Sequence, residues 1–317
     1  MLDKETKRAR SSVVWEPGLT VADIAYLLKT AKMVGKIVST PSQTIIKEQA
    51  DDAAEIFSRN KSSGIPVIIA AWNEQEDLPR LLYALSLSEG PVKPLVIDNG
   101  SDDNTRKIAE RFGVTVLEEE RGGIIYARRK GYLHLKKESG NPYIVLCLDA
   151  DSIPGQNWSQ TMTEMLNNYP PEGGEAFGFF AYYGGTFLSD LLLDIIYHRP
   201  NFSYPIYKNT VRTHGGNSGI KFDREGRIID ALTSLNPKFV TGTSTYILDA
   251  VLDNGGYARR NLNPRSVAFT RSDRFPNLVS VLAFAFKMNR LKMYSDYFGR
   301  NPRVDYFNGS RYEEKNK

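Results

Sequence analysis

One cysteine and three histidines in 317 residues leave little room for sulfur or imidazole chemistry. Cys147 sits inside an apolar run, so the chain has no disulfide framework and a reducing compartment fits. The ordinary role for such a thiol is a small core hydrophobe. His134, His198 and His214 show no zinc-ligand spacing. Net charge is also small, with 41 Lys and Arg against 37 Asp and Glu, or +4, too mild to argue for nucleic acid. No apolar run reaches the roughly 20 residues that cross a bilayer. No signal peptide is evident, so Asn-x-Ser triplets such as those at Asn60 and Asn308 read as chance. Internal repeats and low-complexity stretches are lacking too. The 41% hydrophobic content suits one large domain or a domain with appendages.

Against this plain background, the run from Tyr143 to Ser152 stands out. Its apolar half, through Leu148, predicts a strand buried on both faces, as in a parallel sheet. It ends in Asp149-Ala150-Asp151. If the extended backbone continued, both carboxylates would face one spot at the carboxyl edge of the sheet, where open α/β sheets bind ligands. Two carboxylates there repel unless a cation lies between them, and Mg²⁺ or Mn²⁺ carrying a substrate diphosphate meets the need. The plainer alternative is a turn and helix cap after a strand.

Upstream segments repeat the pattern. Val67 to Ala71 predicts a strand that breaks at Trp72-Asn73, followed by a helix with Leu78, Leu81, Leu82 and Leu85 on one stripe. Pro94 to Asp98 predicts a second strand, breaking into a turn before a helix over Arg106 to Phe112. Val114 to Leu117 predicts a third, and Gly122-Gly123 precedes a helix from about Ile125 to Lys137. Strand and helix alternating in this way argue for a parallel, doubly wound sheet.

Four strings, in order, resemble family 2 glycosyltransferases with the GT-A fold. Ala70 to Leu78 (A-A-W-N-E-Q-E-D-L) is similar to that family's P-A-Y-N-E-E-x-x-L, and Val96 to Thr105 to its V-D-D-G-S-T-D-x-T. Arg121 to Arg128 resembles R-G-x-x-x-A-R, and Asp149-Ala150-Asp151 the D-x-D. The resemblance implies a donor that is a nucleotide diphosphate sugar, UDP- or GDP-linked, with Mn²⁺ or Mg²⁺. Asp98 would accept a hydrogen bond from the base. The backbone from Ala70 through Trp72 to Asn73 would line the base and ribose pocket, with Glu74 nearby. Arg128 would sit near the base or diphosphate, the alternative being a solvated helix residue. Asp149 would lie near ribose and metal, with Ala150 beside it, and Asp151 would ligate the metal and serve catalysis. Asn99 replaces the second Asp of V-D-D; its amide can bond ribose but brings no charge, a difference that bears on donor choice.

In the acceptor half, Thr213 to Lys221 resembles G-x-N-x-A-x-R. Gly215, Gly216 and Gly219 would allow close backbone approach, and Gly216 and Asn217 would lie against the transferred sugar. An ordinary Gly-rich hairpin is the alternative. His214 could touch diphosphate or metal, though a plain loop histidine is the simpler reading. Arg271 and Arg274 resemble a basic segment that faces the diphosphate. Where the family reads G-E-D, this chain has Gly242-Thr243-Ser244, and neither hydroxyl has a pKa suited to a general base. Three explanations stand side by side. Asp230, Asp249 or Asp253 supplies the base, although Asp249 would be rotated off the face of Ser244 on a common helix. Alternatively, the acceptor is a phosphate, as in polyprenyl-phosphate sugar transferases. Or the chain binds a nucleotide sugar without transferring it. The acceptor thus stays open among glycan, lipid-linked and polyprenyl-phosphate classes. The implied chemistry is a single displacement with inversion.

Three regions follow: a helical extension over 1–60, a GT-A domain over 61–275 divided near residue 151, and a tail over 276–317. Thr20-Val-Ala-Asp23 can form a capping box, with Ile24, Leu27, Leu28, Ala31 and Val34 on one face of the helix it opens. The aromatic stretch Phe177 to Gly185 is equally a core strand or a sugar-stacking surface, and Leu188 to Tyr197 predicts a short buried helix. The apolar run Phe275 to Phe286, followed by Lys287, Arg290 and Lys292, suits a core helix or a helix lying on an anionic membrane surface. The expected location is cytoplasmic, with membrane association through that tail. A nucleotidyltransferase would want a Gly-rich, basic loop after the first strand, and Ala71-Trp72-Asn73 is not one.

Overall fold

Aliphatic runs with no exposed surface make the centre of the molecule. The computed structural model describes residues 20–140, 142–184, 216–234, 247, 250, 251, 253–260 and 263–271. Strands β1 (Ile65–Ala71), β2 (Val92–Asp98), β3 (Thr115–Glu118) and β4 (Ile144–Asp149) run parallel to one another. Val67, Ile68 and Ile69 of β1 and Val145 through Leu148 of β4 are all 0% exposed, as strands covered on both faces must be. After β5 (Ser152–Pro154), β6 (Gly174–Phe177) and β7 (Phe180–Tyr183), strand β8 (Asn217–Lys221) pairs antiparallel with β4 and β6, and β9 (Tyr257–Arg260) adds parallel to β6. The large sheet therefore has seven strands in the order β3-β2-β1-β4-β8-β6-β9. A small second sheet has the order β5-β10-β7, with β10 at Ala268–Arg271.

Helices cover both faces. On one lie α1 (Val21–Ser39), α2 (Ser42–Arg59), α3 (Leu78–Ser86), α4 (Thr105–Arg111) and α6 (Trp158–Asn167); on the other lie α5 (Ile124–Ser139) and α7 (Arg227–Ser234). The four leucines predicted as one stripe of α3 are at most 1% exposed. Burial of that order stabilises by about 1.5–3 kcal/mol per side chain. All four parallel strands, and the helices predicted over 106–112 and about 125–137, fall within two residues of the bounds the sequence predicts.

The N-terminal helices share the core of the sheet rather than standing apart. Val34 and Ile37 of α1 and Ile45, Ala50, Ala53 and Phe57 of α2 join the cluster beneath α3 and α4. The expected capping box is present, with Asp23 N–H donating to Thr20 Oγ1 and Thr20 N–H to the Asp23 carboxylate. The expected stripe divides, however. Leu27 and Val34 pack inward with Thr30 and Ile37, whereas Ile24 and Leu28 are 48% and 67% exposed. The buried line is thus centred one step round the helix, because α1 also meets the 3₁₀ turn at Pro264–Ser266, where the Arg265 guanidinium lies 5.7 Å from the Tyr26 ring centroid.

Among the described residues no helix is long and apolar enough to cross a membrane. The predicted helix at 188–197, the tail from 276, and Thr243, Ser244, His198, His214, Gly215, Asp249 and Arg274 lie outside the described residues.

Candidate active site

Every parallel strand delivers a polar loop to the same edge of the sheet. The β1–α3 and β2–α4 loops are fastened to each other there. Asn73 adopts φ 55°, the left-handed region that Asn tolerates better than most residues. In that conformation its N–H donates to Ser101 Oγ (3.0 Å) and its Oδ1 accepts from the Asp102 N–H (3.0 Å). Next along, Glu74 N–H donates to Thr105 Oγ1 (2.7 Å) and Gln75 N–H to Asp103 Oδ2 (3.1 Å). Asp98, 4% exposed, closes the second loop by accepting from the Ser101 N–H at 3.1 Å. These bonds satisfy loop donors that a strand-to-helix turn otherwise leaves open. Ala70 pairs with Ile97 and Asp149 in the sheet, and Trp72 follows at the loop entrance.

Both ends of the Asn99 amide are engaged within the fold. Its Nδ2 donates to the carbonyls of Glu119 (2.9 Å) and Arg121 (2.6 Å), and its Oδ1 accepts from the Gly123 N–H (2.7 Å). The amide therefore holds the β3–α5 loop against β2. Within that loop the Arg121 side chain grips the buried Glu119 carboxylate, which lowers its pKa. A carboxylate at 99 could not donate to either carbonyl. Asn99→Asp is expected to lower stability by about 2 kcal/mol, since two buried acceptors lose their donors. Thermal melting checks this; an unchanged melting temperature would refute the role.

The two aspartates of D-x-D are separated by the end of β4. The strand stops at Asp149, Ala150 (3% exposed) and Asp151 turn, and β5 begins at Ser152 in the other sheet. The two-residue alternation expected to aim both carboxylates together does not apply across that turn. Instead each has its own surroundings at the junction of the two sheets. Asp149 Oδ1 accepts from Arg128 Nη2 of α5 at 2.8 Å. Arg128 is 2% exposed, so it is not a solvated helix residue. Burial works against its charge, but Asp149 foremost, then Cys147, Tyr132 and Glu175, outweigh it and leave the pKa raised. Gly216 lies directly behind this carboxylate: a Cβ there would fall 2.3 Å from Asp149 Oδ2, so only glycine leaves the aspartate its place. Gly219 is close-packed for another reason, its would-be Cβ meeting Leu146 and Leu166 of the core.

Asp151 is met from the small sheet. Thr270 Oγ1 lies 3.4 Å from its Oδ1, and the Tyr183 hydroxyl donates to its carbonyl at 3.3 Å. Burial, with Asp77 and Asp151 adding, raises the Tyr183 pKa and keeps that hydroxyl a donor. Beside it Arg271 bonds Asp77, which also takes Arg80 Nη1 at 2.9 Å. Asp77, 6% exposed, thus ties the start of α3 to β10. In the sequence Asp77 falls within the first motif and Tyr183 within the aromatic run, with no separate role for either. Neither carries a local signal, because what makes them matter is the second sheet. Of the aromatic run, Phe177 is core at 1% exposure, while Tyr183 reaches the aspartate turn.

Asn217 is wholly buried. Its Oδ1 accepts from Trp158 Nε1 (2.7 Å) and its Nδ2 donates to the carbonyls of Phe179 (2.9 Å) and Ser266 (3.1 Å). It fastens α6, the β6–β7 bend and the 264–266 turn together behind the site. Asp230, one of the candidate bases, pairs with Lys136 of α5 at 2.5 Å on the outer surface, and Asp253 is exposed. Among the described residues no three His, Cys, Asp or Glu side chains form a metal-ligand set. A metal here would need oxygens from a substrate beside Asp149 and Asp151. That is how Mg²⁺ is commonly held, by one or two carboxylates plus phosphates, so the pair fits such an ion.

Residues 67–224 match the family model for glycosyl transferase family 2. The chain belongs to that family. The match begins in β1 and ends just beyond β8, so it takes in each glycosyltransferase motif up to the Gly216-Asn217 strand. Glycosyltransferase AglE of Haloferax volcanii is 34% identical over 103 residues, 30% of this chain and 32% of that one. An uncharacterised glycosyltransferase of Mycobacterium tuberculosis is 34% identical over 87 residues, 27% of this chain and 36% of its own. The alignments thus span about a third of these curated relatives. Among solved structures, glucosyl-3-phosphoglycerate synthase from M. tuberculosis, in complex with Mn²⁺, UDP and glucosyl-3-phosphoglycerate, is 19% identical with a TM-score of 0.46, covering 77% of this chain and 83% of that one. S. aureus TarS is 12% identical with a TM-score of 0.49, covering 80% and 68%. The GT-A glycosyltransferase architecture, a central and mostly parallel sheet flanked by helices, is the fold of this chain.

Proposed function

We propose that this chain transfers a sugar from a nucleotide diphosphate sugar to an acceptor, with Mn²⁺ or Mg²⁺ held by Asp149 and Asp151. The observation that carries the reading is the carboxyl edge of the parallel sheet. There two half-buried aspartates share one sheet edge with the buried Asp98, one strand away across β1, and with the fastened β1–α3 and β2–α4 loops, where sheets of this kind take ligands. The fixed loops would receive base and ribose without having to order on binding. Asp98 would accept from the base, and the backbone at Trp72 and Asn73 would line its pocket. Arg128 would present a permanent positive charge toward the diphosphate. The metal, when bound, would neutralise charge on the departing diphosphate as a Lewis acid. Arg271, placed by Asp77, would add charge from the small sheet.

The test is donor turnover. The protein is incubated with Mn²⁺ or Mg²⁺ and UDP-, GDP- and dTDP-sugars, and release of nucleoside diphosphate is followed with and without chelator. Slow release from one donor, abolished by chelation, is the expected result. Saturable binding with no release, even with candidate acceptors added, would instead mark a nucleotide-sugar-binding protein. No binding of any donor would overturn the assignment.

A further inference from the structure

Among the described residues four large apolar side chains are exposed, and three of them stand on α1: Val21 (85%), Ile24 (48%) and Leu28 (67%). Scattered single hydrophobics on a surface are ordinary, but three within two turns of one helix make a patch. Helix geometry, at about 100° per residue, sets all three within about 60° of one line. Ala25, exposed as well, continues the patch. The opposite face, with Thr30, Val34 and Ile37, is the one that packs into the core.

The rest of the outer face is basic. Lys29, Lys32 and Lys36 follow the apolar part and are all exposed, and among the described residues no carboxylate pairs with them. Asp23 is the sole acidic residue of α1; it lies nearly opposite and is held in the capping box with Thr20. Arg265, exposed on the neighbouring 3₁₀ turn beside Tyr26, adds a fourth cation. Along its axis the outer face therefore runs from two turns of apolar surface into a positive one.

Charge decides what can cover it. The α1 helix of a second copy would bring the same lysines and no acid to meet them. An anionic lipid surface satisfies both halves at once. The apolar side chains enter the boundary between head groups and acyl chains, while the lysine stems reach back to the phosphates. The patch is also a ridge rather than a pocket, which suits a soft, flat partner.

We propose that α1 docks on an anionic membrane surface, with Val21, Ile24 and Leu28 inserted and Lys29, Lys32 and Lys36 against lipid phosphates. The inner side of the same helix meets the scaffold of the site. A Cβ on Gly155 would fall 2.8 Å from Tyr26 Oη, and Gly155 follows β5, the three-residue strand that begins after Asp151. About 13 Å of extended chain thus separates Asp151 from α1. Docking would bring the aspartate turn to acceptors carried in the membrane, one of the classes the sequence leaves open. That consequence rests on the transferase reading; the docking does not.

The test is co-sedimentation of the full chain with vesicles of phosphatidylcholine, and of phosphatidylcholine mixed equally with phosphatidylglycerol. Retention by the mixed vesicles, lost at high salt, is the expected result. Lys29→Gln, Lys32→Gln and Lys36→Gln together should weaken it about a hundredfold. Ile24→Gln with Leu28→Gln should weaken it by a comparable factor. Both variants should keep the melting temperature of wild type, since the changed side chains face outward. A polarity-sensitive dye on Leu28→Cys gives a second readout. Cys147 is buried, so the label reports from position 28, and its emission should shift to the blue only on the mixed vesicles. No retention overturns the proposal. Retention that both variants keep in full also overturns it and moves the contact elsewhere in the chain. A dimer in solution that dissociates in the Ile24→Gln, Leu28→Gln variant overturns it by giving the face to a second copy. None of these outcomes bears on donor turnover, which is read without vesicles.

Discussion

Alanine at Asp151 is expected to reduce metal-dependent release of nucleoside diphosphate from the donor by roughly a thousandfold, while the melting temperature moves little. The size follows from the proposed role: stabilising the charge on a departing diphosphate is worth several kcal/mol, and about 4 kcal/mol corresponds to that factor in rate. The small effect on stability follows from position. Asp151 is half-exposed on a turn between sheets, and the bond to it from Thr270 is long at 3.4 Å. A structural aspartate would give the opposite pair of results, a lower melting temperature with turnover retained. Asp151→Asn separates charge from shape, since the amide keeps the volume and loses most of the metal affinity. A protein with alanine at 151 that kept full metal-dependent turnover would remove Asp151 from the mechanism.

Asn217→Ala is expected to do the reverse at first order, lowering stability by about 4 kcal/mol. Three groups lose their partner at once: the indole N–H of Trp158 and the carbonyls of Phe179 and Ser266. Each orphaned group in a buried setting costs about 1–3 kcal/mol. At roughly 2–4 °C per kcal/mol for a domain of this size, the melting temperature should fall by about 10 °C. Trp158 is itself 0% exposed, so relaxation toward water is blocked. Activity measured well below that transition should survive in large part if Asn217 acts from behind the site. Loss of turnover with an unchanged melting temperature would instead place Asn217 against the sugar.

The parallel half of the fold is legible in sequence because each strand there is a closed local signal: an aliphatic run that ends in polar residues, then a helix with its own stripe. Leu78, Leu81, Leu82 and Leu85 are legible for the same reason. What escapes is set by contacts across the fold. Asp149-Ala150-Asp151 reads as continuous strand, yet Asp151 is claimed by the small sheet through Thr270 and Tyr183, residues distant in sequence. Asn99 sits at a motif position, and its commitment to Glu119 and Arg121 depends on where the β3–α5 loop returns. Ile24 and Leu28 fit a helical stripe as well as Leu27 does, and only the placement of the 264–266 turn decides which of them is buried.

The packing of α1 has a consequence for the order in which the chain can fold during synthesis. Helix α2 rests on α3 and α4, which leave the ribosome soon after it. Helix α1 also rests on the turn at 264–266, made on the order of 200 residues later. At roughly 5–20 residues per second, the part of α1 that meets this turn waits for tens of seconds without its final partner. The part of α1 around Tyr26 is thus a transiently exposed surface of the nascent chain, one that a holding chaperone would recognise and that the completed protein conceals.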